Sequence, residues 1–265
     1  AEKEAKGDFE HTSSIRGLET GNVKVHQDAK TGVATLVMSR KPINSLNLDF
    51  LTELNIAIDK LHADKSCRGL VLTSDMPKIF SAGLDITEIY QPTGDRLHAF
   101  CTMLQDLWIK LYGSRLVTIA AINGSSPAAG CLISMCCDLR IMTEGPFAIG
   151  LNETNLGMVA PFWFQDTMVN TIGHQETERA LMLGRMYSTE EALKVGVVDA
   201  LVPAAEMEAK VQAEMAKWLR IPDGARILTK QNLRQPTLNK LIAKKEEDLE
   251  YYVKFVTTKT AQNIM

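Results

Sequence analysis

A single carboxylate in apolar surroundings is the residue of this sequence best suited to chemistry. Glu153 is placed among apolar neighbours, namely Leu151, Leu156, Met158, Val159 and Ala160. Such surroundings raise the pKa of a carboxyl group toward neutrality and prepare it to act as a general base. Upstream, Pro127 precedes Ala-Ala-Gly and an apolar run, a pattern typical of the start of a helix.

A helix that begins near Ala129 would present free backbone N–H groups at the positive end of its dipole. Such groups can hold negative charge that develops on a carbonyl oxygen. The pairing of these donors with Glu153 predicts a base beside an oxyanion site. On the residues alone, a solvent-exposed loop carboxylate remains the simpler interpretation of Glu153, because most glutamates are exposed.

The composition excludes several classes of function. The chain has 265 residues, 45% of them hydrophobic, and a net charge of −3, so nothing favours nucleic acid or an anionic membrane as partner. No apolar run approaches the length of a membrane helix. The five cysteines and five histidines lack the spacing of a disulfide framework or a metal site. We therefore expect buried free thiols and no bound metal.

Strands and helices alternate through the first two thirds of the chain. Asn47 is the expected N-cap of the first helix, and Ser188 with Glu191 forms an expected capping box. Apolar patterns predict strands over residues 23–28, 33–39, 69–74, 116–122 and 195–202. Helical spacing is found over residues 50–61, 96–112, 162–172 and 176–183, after Ser188, and from 204 onward.

This alternation predicts an α/β fold. Three parts are expected along the chain. Residues 1–21 are polar and loosely ordered, residues 22–203 form the α/β core, and residues 204–265 form a charged helical region.

Six short motifs, in order along the chain, resemble those of the crotonase (enoyl-CoA hydratase/isomerase) superfamily. They are Asn44–Asn47, Phe80–Ile86, Ala121–Gly124 with Ala129–Cys131, Cys137–Arg140, Glu153–Gly157 and Ser188–Asp199. Within the superfamily the chain is most similar to the mitochondrial Δ3,Δ2-enoyl-CoA isomerases. The runs that carry this likeness are 80–85, 149–154 and 160–164.

The resemblance implies a spiral of ββα units, followed by a C-terminal helical region that builds trimers. It also implies an acyl-CoA substrate, with Glu153 as catalytic base and no separate cofactor or metal. The oxyanion hole would use the backbone N–H groups of Ala82 and Ala129. The residues implied to line the coenzyme A channel are Ala82, Gly83, Leu84, Asp85, Ile86 and Ala129.

Leu132 distinguishes the reactions of the superfamily. Hydratases carry a second glutamate at the matching position, whereas leucine can neither activate water nor donate a proton. One carboxylate can still take a proton from C2 and return it to C4, which shifts the double bond without water. The resemblance thus favours isomerisation of 3-enoyl-CoA to 2-trans-enoyl-CoA. Leu132, Phe162 and Trp163 are candidates for the acyl pocket, with core packing as the alternative for the two aromatic residues.

Other functions stay open at this point. The chain could be another acyl-CoA enzyme of the same fold, a weak hydratase or a thioesterase, or a non-catalytic RNA-binding member. The acidic balance counts against RNA. The charged run of Lys240, Lys244 and Lys245 with Glu246, Glu247 and Asp248 is most simply a solvated helix face, unless one lysine meets a coenzyme A phosphate. The resemblance implies a homotrimer in the mitochondrial matrix, without nucleic-acid or membrane partners.

Overall fold

Two sheets rich in parallel strands form the centre of the protein in the computed structural model, which describes residues 18–264. The strands are β1 (Leu18–Glu19), β2 (Val23–Asp28), β3 (Val33–Met38), β4 (Gly69–Ser74), β5 (Lys78–Ile79), β6 (Val117–Ile122), β7 (Gly124–Pro127), β8 (Leu139–Thr143), β9 (Ala148–Gly150), β10 (Tyr187–Ser188) and β11 (Ala200–Val202). The larger sheet has the order β1-β2-β3-β4-β6-β8-β11, antiparallel up to β3 and parallel beyond it. The smaller sheet has the order β10-β9-β7-β5, and its β5, β7 and β9 are parallel.

Helices cover the sheets and fill the C-terminal region. They are α1 (Leu48–Ala63), α2 (Gly94–Tyr112), α3 (Ala129–Met135), α4 (Phe162–Ile172), α5 (His174–Leu183), α6 (Thr189–Val195), α7 (Met207–Leu219), α8 (Asp223–Val256) and α9 (Lys259–Ile264). Asn47 caps α1 by accepting a hydrogen bond from the Phe50 N–H at 2.9 Å. Ser188 and Glu191 form the capping box of α6. Both predicted caps are confirmed, as is the α/β class.

The hydrophobic core lies between the larger sheet and helices α1, α2 and α4. Phe50, Phe100 and Trp108 are almost completely buried there. All six residues of β6 are buried, because α7 covers the outer face of the sheet with Val211 and Met215. A strand buried on both faces explains why its sequence is a continuous apolar run.

A buried carboxylate ties the long helix α8 to the core. Asp138 accepts a hydrogen bond from Lys230 at 2.8 Å and forms an ion pair with Arg234 at 3.0 Å. The helix then bends at Lys244, whose φ of −118° and ψ of 15° are not helical. Beyond this bend, α8 turns Leu249 and Tyr252 toward the interior.

One predicted strand is wrong over most of its length. The strand expected over residues 195–202 is only Ala200–Val202, because Val195 ends α6 and Gly196 terminates that helix with a φ of +88°. The apolar residues Val197 and Val198 are buried without being in a strand. The helix expected to begin near Ala129 is confirmed: Pro127 ends β7, and α3 begins at Ala129.

The prediction of a loosely ordered segment over residues 1–21 falls mainly outside the described residues. Its last part holds β1, which pairs with β2. In residues 18–264, no helix combines the length and apolar character that crossing a membrane requires.

Candidate active site

A mostly apolar cavity of about 130 Å³ lies where the tips of the smaller sheet meet α2, α4 and α8. Part of its lining comes from the segments around β5, β7 and β9, namely Ala82, Leu84, Ile86, Pro127, Ala128, Asn152 and Glu153. A further part comes from α2, α4 and α8, namely Cys101, Leu104, Gln105, Trp163, Phe164, Asp248, Leu249 and Tyr252. A concave apolar site with a few convergent polar groups is typical of a small-molecule binding site.

Glu153 lines this cavity from a short 3₁₀ helix over Glu153–Leu156. Glu153 is only 8% exposed, and its Oε2 has no hydrogen-bond partner among the described residues. Burial raises the pKa of Glu153 to about 7. The carboxyl group is therefore not a solvated loop side chain, and its pKa suits a general base near neutral pH.

The backbone amide of Ala82 cannot serve as the first oxyanion donor, because it already donates a hydrogen bond to the Ile43 carbonyl at 3.0 Å. This corrects the assignment that the resemblance suggested. Leu84 offers the alternative: it lines the cavity, and within residues 18–264 its N–H has no acceptor. Two hydrogen bonds to Leu46 fix the backbone on both sides of Leu84. The Gly83 carbonyl accepts from the Leu46 N–H at 2.7 Å, and the Asp85 N–H donates to the Leu46 carbonyl at 3.0 Å. Leu84 is thus presented on a fixed loop.

The second candidate donor, Ala129, is the first residue of α3, and its N–H has no acceptor in the described part of the chain. It lies close to the Leu84 loop. A Cβ atom built on Gly83 would be 3.3 Å from the Ala129 nitrogen and only 2.9 Å from the Ala128 Cβ. Gly83 also has a φ of +88°, so a glycine is needed there both for its conformation and for the close approach.

Ala128 adopts a backbone conformation that side chains rarely take, with φ of 50° and ψ of −128°. Backbone strain of this kind costs about 1–3 kcal/mol and is concentrated at functional sites. We expect Ala128→Gly to raise the free energy of unfolding by about 1 kcal/mol, after the larger chain entropy of unfolded glycine is subtracted. Urea denaturation measures the change.

The control for this change is Ala213→Gly, at an exposed position inside α7. It should lower the free energy of unfolding by about 1 kcal/mol, the usual cost of glycine in a helix. If both variants lose stability equally, Ala128 is not strained.

Asp85 and Ile86, the remaining residues expected at the coenzyme A channel, have different surroundings. Asp85 caps the 3₁₀ helix Ile86–Glu88 by accepting a hydrogen bond from the Thr87 N–H, and it forms an ion pair with Arg40 at 3.0 Å. Ile86 lines the cavity and is 44% exposed.

The three residues expected at the acyl pocket do not share one environment. Trp163 is buried and lines the cavity. Phe162 does not line it; Lys240 lies over its ring, with Nζ 5.1 Å from the ring centre. Leu132 is completely buried in the core behind the cavity wall. Phe164, which sequence reasoning passed over, is on the wall next to Trp163.

Asp248 is the cavity residue that the sequence analysis placed wrongly. It is not on a solvated face: only 9% is exposed, and Oδ2 accepts hydrogen bonds from Trp163 Nε1 at 2.9 Å and Gln105 Nε2 at 2.8 Å. Burial raises the pKa of its carboxyl group. The signal was available, because Asp248 falls on the same helical stripe as Leu241 and Tyr252. The acidic neighbours Glu246 and Glu247 made Asp248 look like part of a solvated helix face.

The remaining polar and sulfur groups give no sign of metal or disulfide chemistry. All five cysteines are buried free thiols, as predicted. Among residues 18–264 there is no cluster of three histidine, cysteine or acidic side chains able to hold a metal ion. Glu153, with its raised pKa, and Leu84, with its unpaired N–H, line the cavity, and the unpaired N–H of Ala129 follows the lining residue Ala128.

Comparison with known proteins gives a consistent result. Residues 28–265 match the family model described as enoyl-CoA hydratase/isomerase. The mouse protein named mitochondrial enoyl-CoA delta isomerase 1 is 46% identical over 257 residues, 97% of this chain and 89% of the relative. The human counterpart is 46% identical over 241 residues, 91% of this chain and 80% of the relative. The crystal structure of human mitochondrial delta3-delta2-enoyl-CoA isomerase superposes with a TM-score of 0.90 at 45% identity, covering 92% of this chain and 95% of that one.

Proposed function

The chain belongs to the enoyl-CoA hydratase/isomerase family, and on this premise we propose that it is an isomerase of enoyl-CoA thioesters. It shifts the double bond of 3-cis- or 3-trans-enoyl-CoA to the 2-trans position, a step of fatty-acid β-oxidation. Identity of 46% to relatives named enoyl-CoA delta isomerase supports this activity. The observation that carries it is the unpaired, buried Glu153 on the cavity wall.

The proposed mechanism uses Glu153 as the only proton carrier. The ionised carboxylate removes a proton from C2 of the substrate, which gives a dienolate with negative charge on the thioester oxygen. Glu153 then returns the proton to C4, and the double bond is left between C2 and C3. No water is consumed, and the enzyme ends in its starting state.

The N–H groups of Leu84 and Ala129 would hold the thioester oxygen during this step. Each has no acceptor in the described residues, and the two loops touch at Gly83. Donors fixed in advance where charge develops contribute roughly 3 kcal/mol each, by analogy with deletions of single donors. They also acidify C2, since the charge of the dienolate is spread onto the oxygen.

The surroundings of Glu153 favour isomerisation over hydration. Leu132 occupies the position of the second hydratase glutamate and is buried. The cavity does contain one more carboxylate, but Asp248 already accepts hydrogen bonds from Trp163 and Gln105. A carboxylate engaged in this way is a poor candidate for holding an attacking water.

The rate should depend on pH through Glu153, whose pKa is about 7. Only the ionised form can remove the C2 proton. We therefore expect kcat/KM to fall tenfold per pH unit well below pH 7, and to level off above it. Initial rates from pH 5 to 9 with 3-enoyl-CoA measure the curve. A rate that is constant down to pH 5 would mean that the base is another group.

The test of the proposed function is a product assay. Wild-type protein with 3-enoyl-CoA should produce the ultraviolet absorbance of a conjugated enoyl thioester, and chromatography should find 2-trans-enoyl-CoA without 3-hydroxyacyl-CoA. Efficient hydration of 2-enoyl-CoA would favour the hydratase alternative. RNA retained on a filter at moderate salt, without thioester turnover, would favour the binding alternative.

Location and assembly complete the proposal. The curated relatives are named as mitochondrial proteins, which assigns this chain to mitochondria on likeness. We propose the matrix as the compartment and a homotrimer as the assembly. Coenzyme A enters as part of the substrate, so the proposed reaction requires no separate cofactor.

A further inference from the structure

Two complementary polar atoms lie unpaired in the same cavity. They are the hydroxyl oxygen of Tyr252 and Oε2 of Glu153, and neither has a hydrogen-bond partner among the described residues. Both residues are only 8% exposed. The tyrosine can donate, and the ionised carboxylate can only accept. Because buried polar groups are rarely left unpaired, this arrangement needs an explanation.

The two groups are close enough to interact electrostatically. Burial, followed by the neighbouring acidic groups Cys101, Glu153 and Asp248, raises the pKa of Tyr252 well above its usual value. The hydroxyl therefore keeps its proton throughout the pH range in which Glu153 titrates. A donor that is always protonated faces a base whose charge changes near pH 7.

Other titratable groups around this pair are few. On the cavity side they are Cys101 of α2 and Asp248 of α8, and no lysine, arginine or histidine lines the cavity in the described part of the chain. Cys131 of α3 lies behind Glu153, and burial raises its pKa. On its other side Glu153 borders a shallower cavity with His174 and Glu178 of α5. No cation thus competes with Tyr252 for the carboxylate inside the cavity.

We infer that the Tyr252 hydroxyl positions Glu153 through a hydrogen bond relayed by one bound water. This rests on the proposed function, in which Glu153 is the base. The hydroxyl donates to the water, and the water donates to Oε2 of Glu153. Its second hydrogen has acceptors on the same cavity wall, because Oδ1 of Asn152 and Oε1 of Gln105 are also unpaired. Three polar partners are typical of a buried water.

Tyr252 is a positioning residue in this arrangement, since it acts on the substrate through Glu153. A hydrogen bond donated to the ionised carboxylate stabilises that form, and it therefore lowers the pKa of Glu153 relative to a site without the donor. Tyr252→Phe keeps the ring that packs beside Leu249 and removes only the hydroxyl. The variant should raise the pKa of Glu153.

The experiment compares pH profiles of kcat/KM for wild type, Tyr252→Phe and the control Tyr251→Phe. Tyr251 is the adjacent residue of α8 and is 64% exposed. We expect the acid limb to move upward by roughly half to one pH unit in Tyr252→Phe only. The rate should fall about 3–10-fold at pH 6 and less than about twofold at pH 9, as follows from that shift.

A loss that is equal at all pH values, or no shift at all, would overturn the inference. The second measurement does not depend on turnover: carbon-13 NMR titration of the glutamate carboxyl groups, with the Glu153 signal assigned by its absence in Glu153→Gln. Its midpoint should be higher in Tyr252→Phe than in wild type. If wild type does not isomerise 3-enoyl-CoA, the proposed function fails, while coinciding midpoints would overturn the role of Tyr252 independently.

Discussion

Glu153→Gln is expected to lower the rate of 3-enoyl-CoA isomerisation by ~10²–10⁴-fold or more. The amide has nearly the shape of the carboxyl group, yet it cannot accept the C2 proton. Because the proposed mechanism gives no second group access to C2 and C4, nothing else in the cavity can replace it. Absorbance of the conjugated thioester measures the loss, with wild type assayed at the same pH.

Glu250→Gln is the matched control for this substitution. Glu250 is exposed on α8, and the same chemical change there should leave the rate within about twofold of wild type. A Glu153→Gln variant that keeps more than a tenth of the wild-type rate would show that Glu153 is not the base. Asp248, as the other cavity carboxylate, would then be examined by the same substitution to asparagine.

The melting temperature of Glu153→Gln distinguishes a loss of catalysis from a loss of folded protein. The pKa of Glu153 rises from 4.5 to about 7 on folding, so the folded state binds more protons between these values and loses stability as pH rises through them. Above pH 7 the ionised form costs at most about 3 kcal/mol. Glu153→Gln removes this cost, and its melting temperature at pH 8 should equal or exceed that of wild type. A lower melting temperature would mean that the glutamine is poorly accommodated.

Gly130→Ala should have the second-largest effect, through the oxyanion donors. A Cβ atom at Gly130 would lie 2.4 Å from the Ser81 carbonyl oxygen and 3.0 Å from the Ser126 Oγ. The start of α3 must then move away from the loop that carries Leu84. We expect kcat/KM to fall by about 10²-fold or more, the effect of losing one donor, and the free energy of unfolding to fall by about 1–3 kcal/mol.

Gly224→Ala is the matched control, because it adds the same methyl group at a position without neighbouring atoms. Gly224 is in the first turn of α8, and nothing lies within 4 Å of an added Cβ atom. Its kcat/KM should match that of wild type, and its stability should rise by a few tenths to about 1 kcal/mol. If Gly130→Ala folds and retains full kcat/KM, the thioester oxygen is not held between these two segments.

The apolar surroundings of Glu153 and the class of fold could be predicted from the sequence because their signals are local. Glu153 has its apolar neighbours within a few residues, and the caps at Asn47 and Ser188 need only the next turn of chain. The end of α6 was misjudged because the pattern around Gly196 suits a buried strand and a buried turn equally well. The spacing of hydrophobic residues predicts burial more reliably than it predicts whether the backbone forms a strand or a turn.

The site beyond Glu153 depends on contacts between distant parts of the chain. Ala82 loses its free N–H to the Ile43 carbonyl, and no local pattern reveals that bond. Asp248 becomes a cavity residue only because α8 bends and meets Trp163. Which amide is free is decided by tertiary packing and was not accessible from spacing. The helical stripe that includes Asp248 indicates burial, but it does not reveal the partners of the carboxylate.

The position of Leu249 and Tyr252 on the cavity wall has a consequence for biosynthesis. The ribosome adds residues from the N-terminus, and Glu153 and the loop of Leu84 are therefore made well before α8, which closes the cavity. Until α8 has emerged and Lys230 and Arg234 have formed their ion pairs with Asp138, the apolar residues that α8 covers remain exposed. We therefore expect completion of the cavity to be among the last events of folding. A nascent chain that stalls before α8 should be a client of chaperones and not a partly active enzyme.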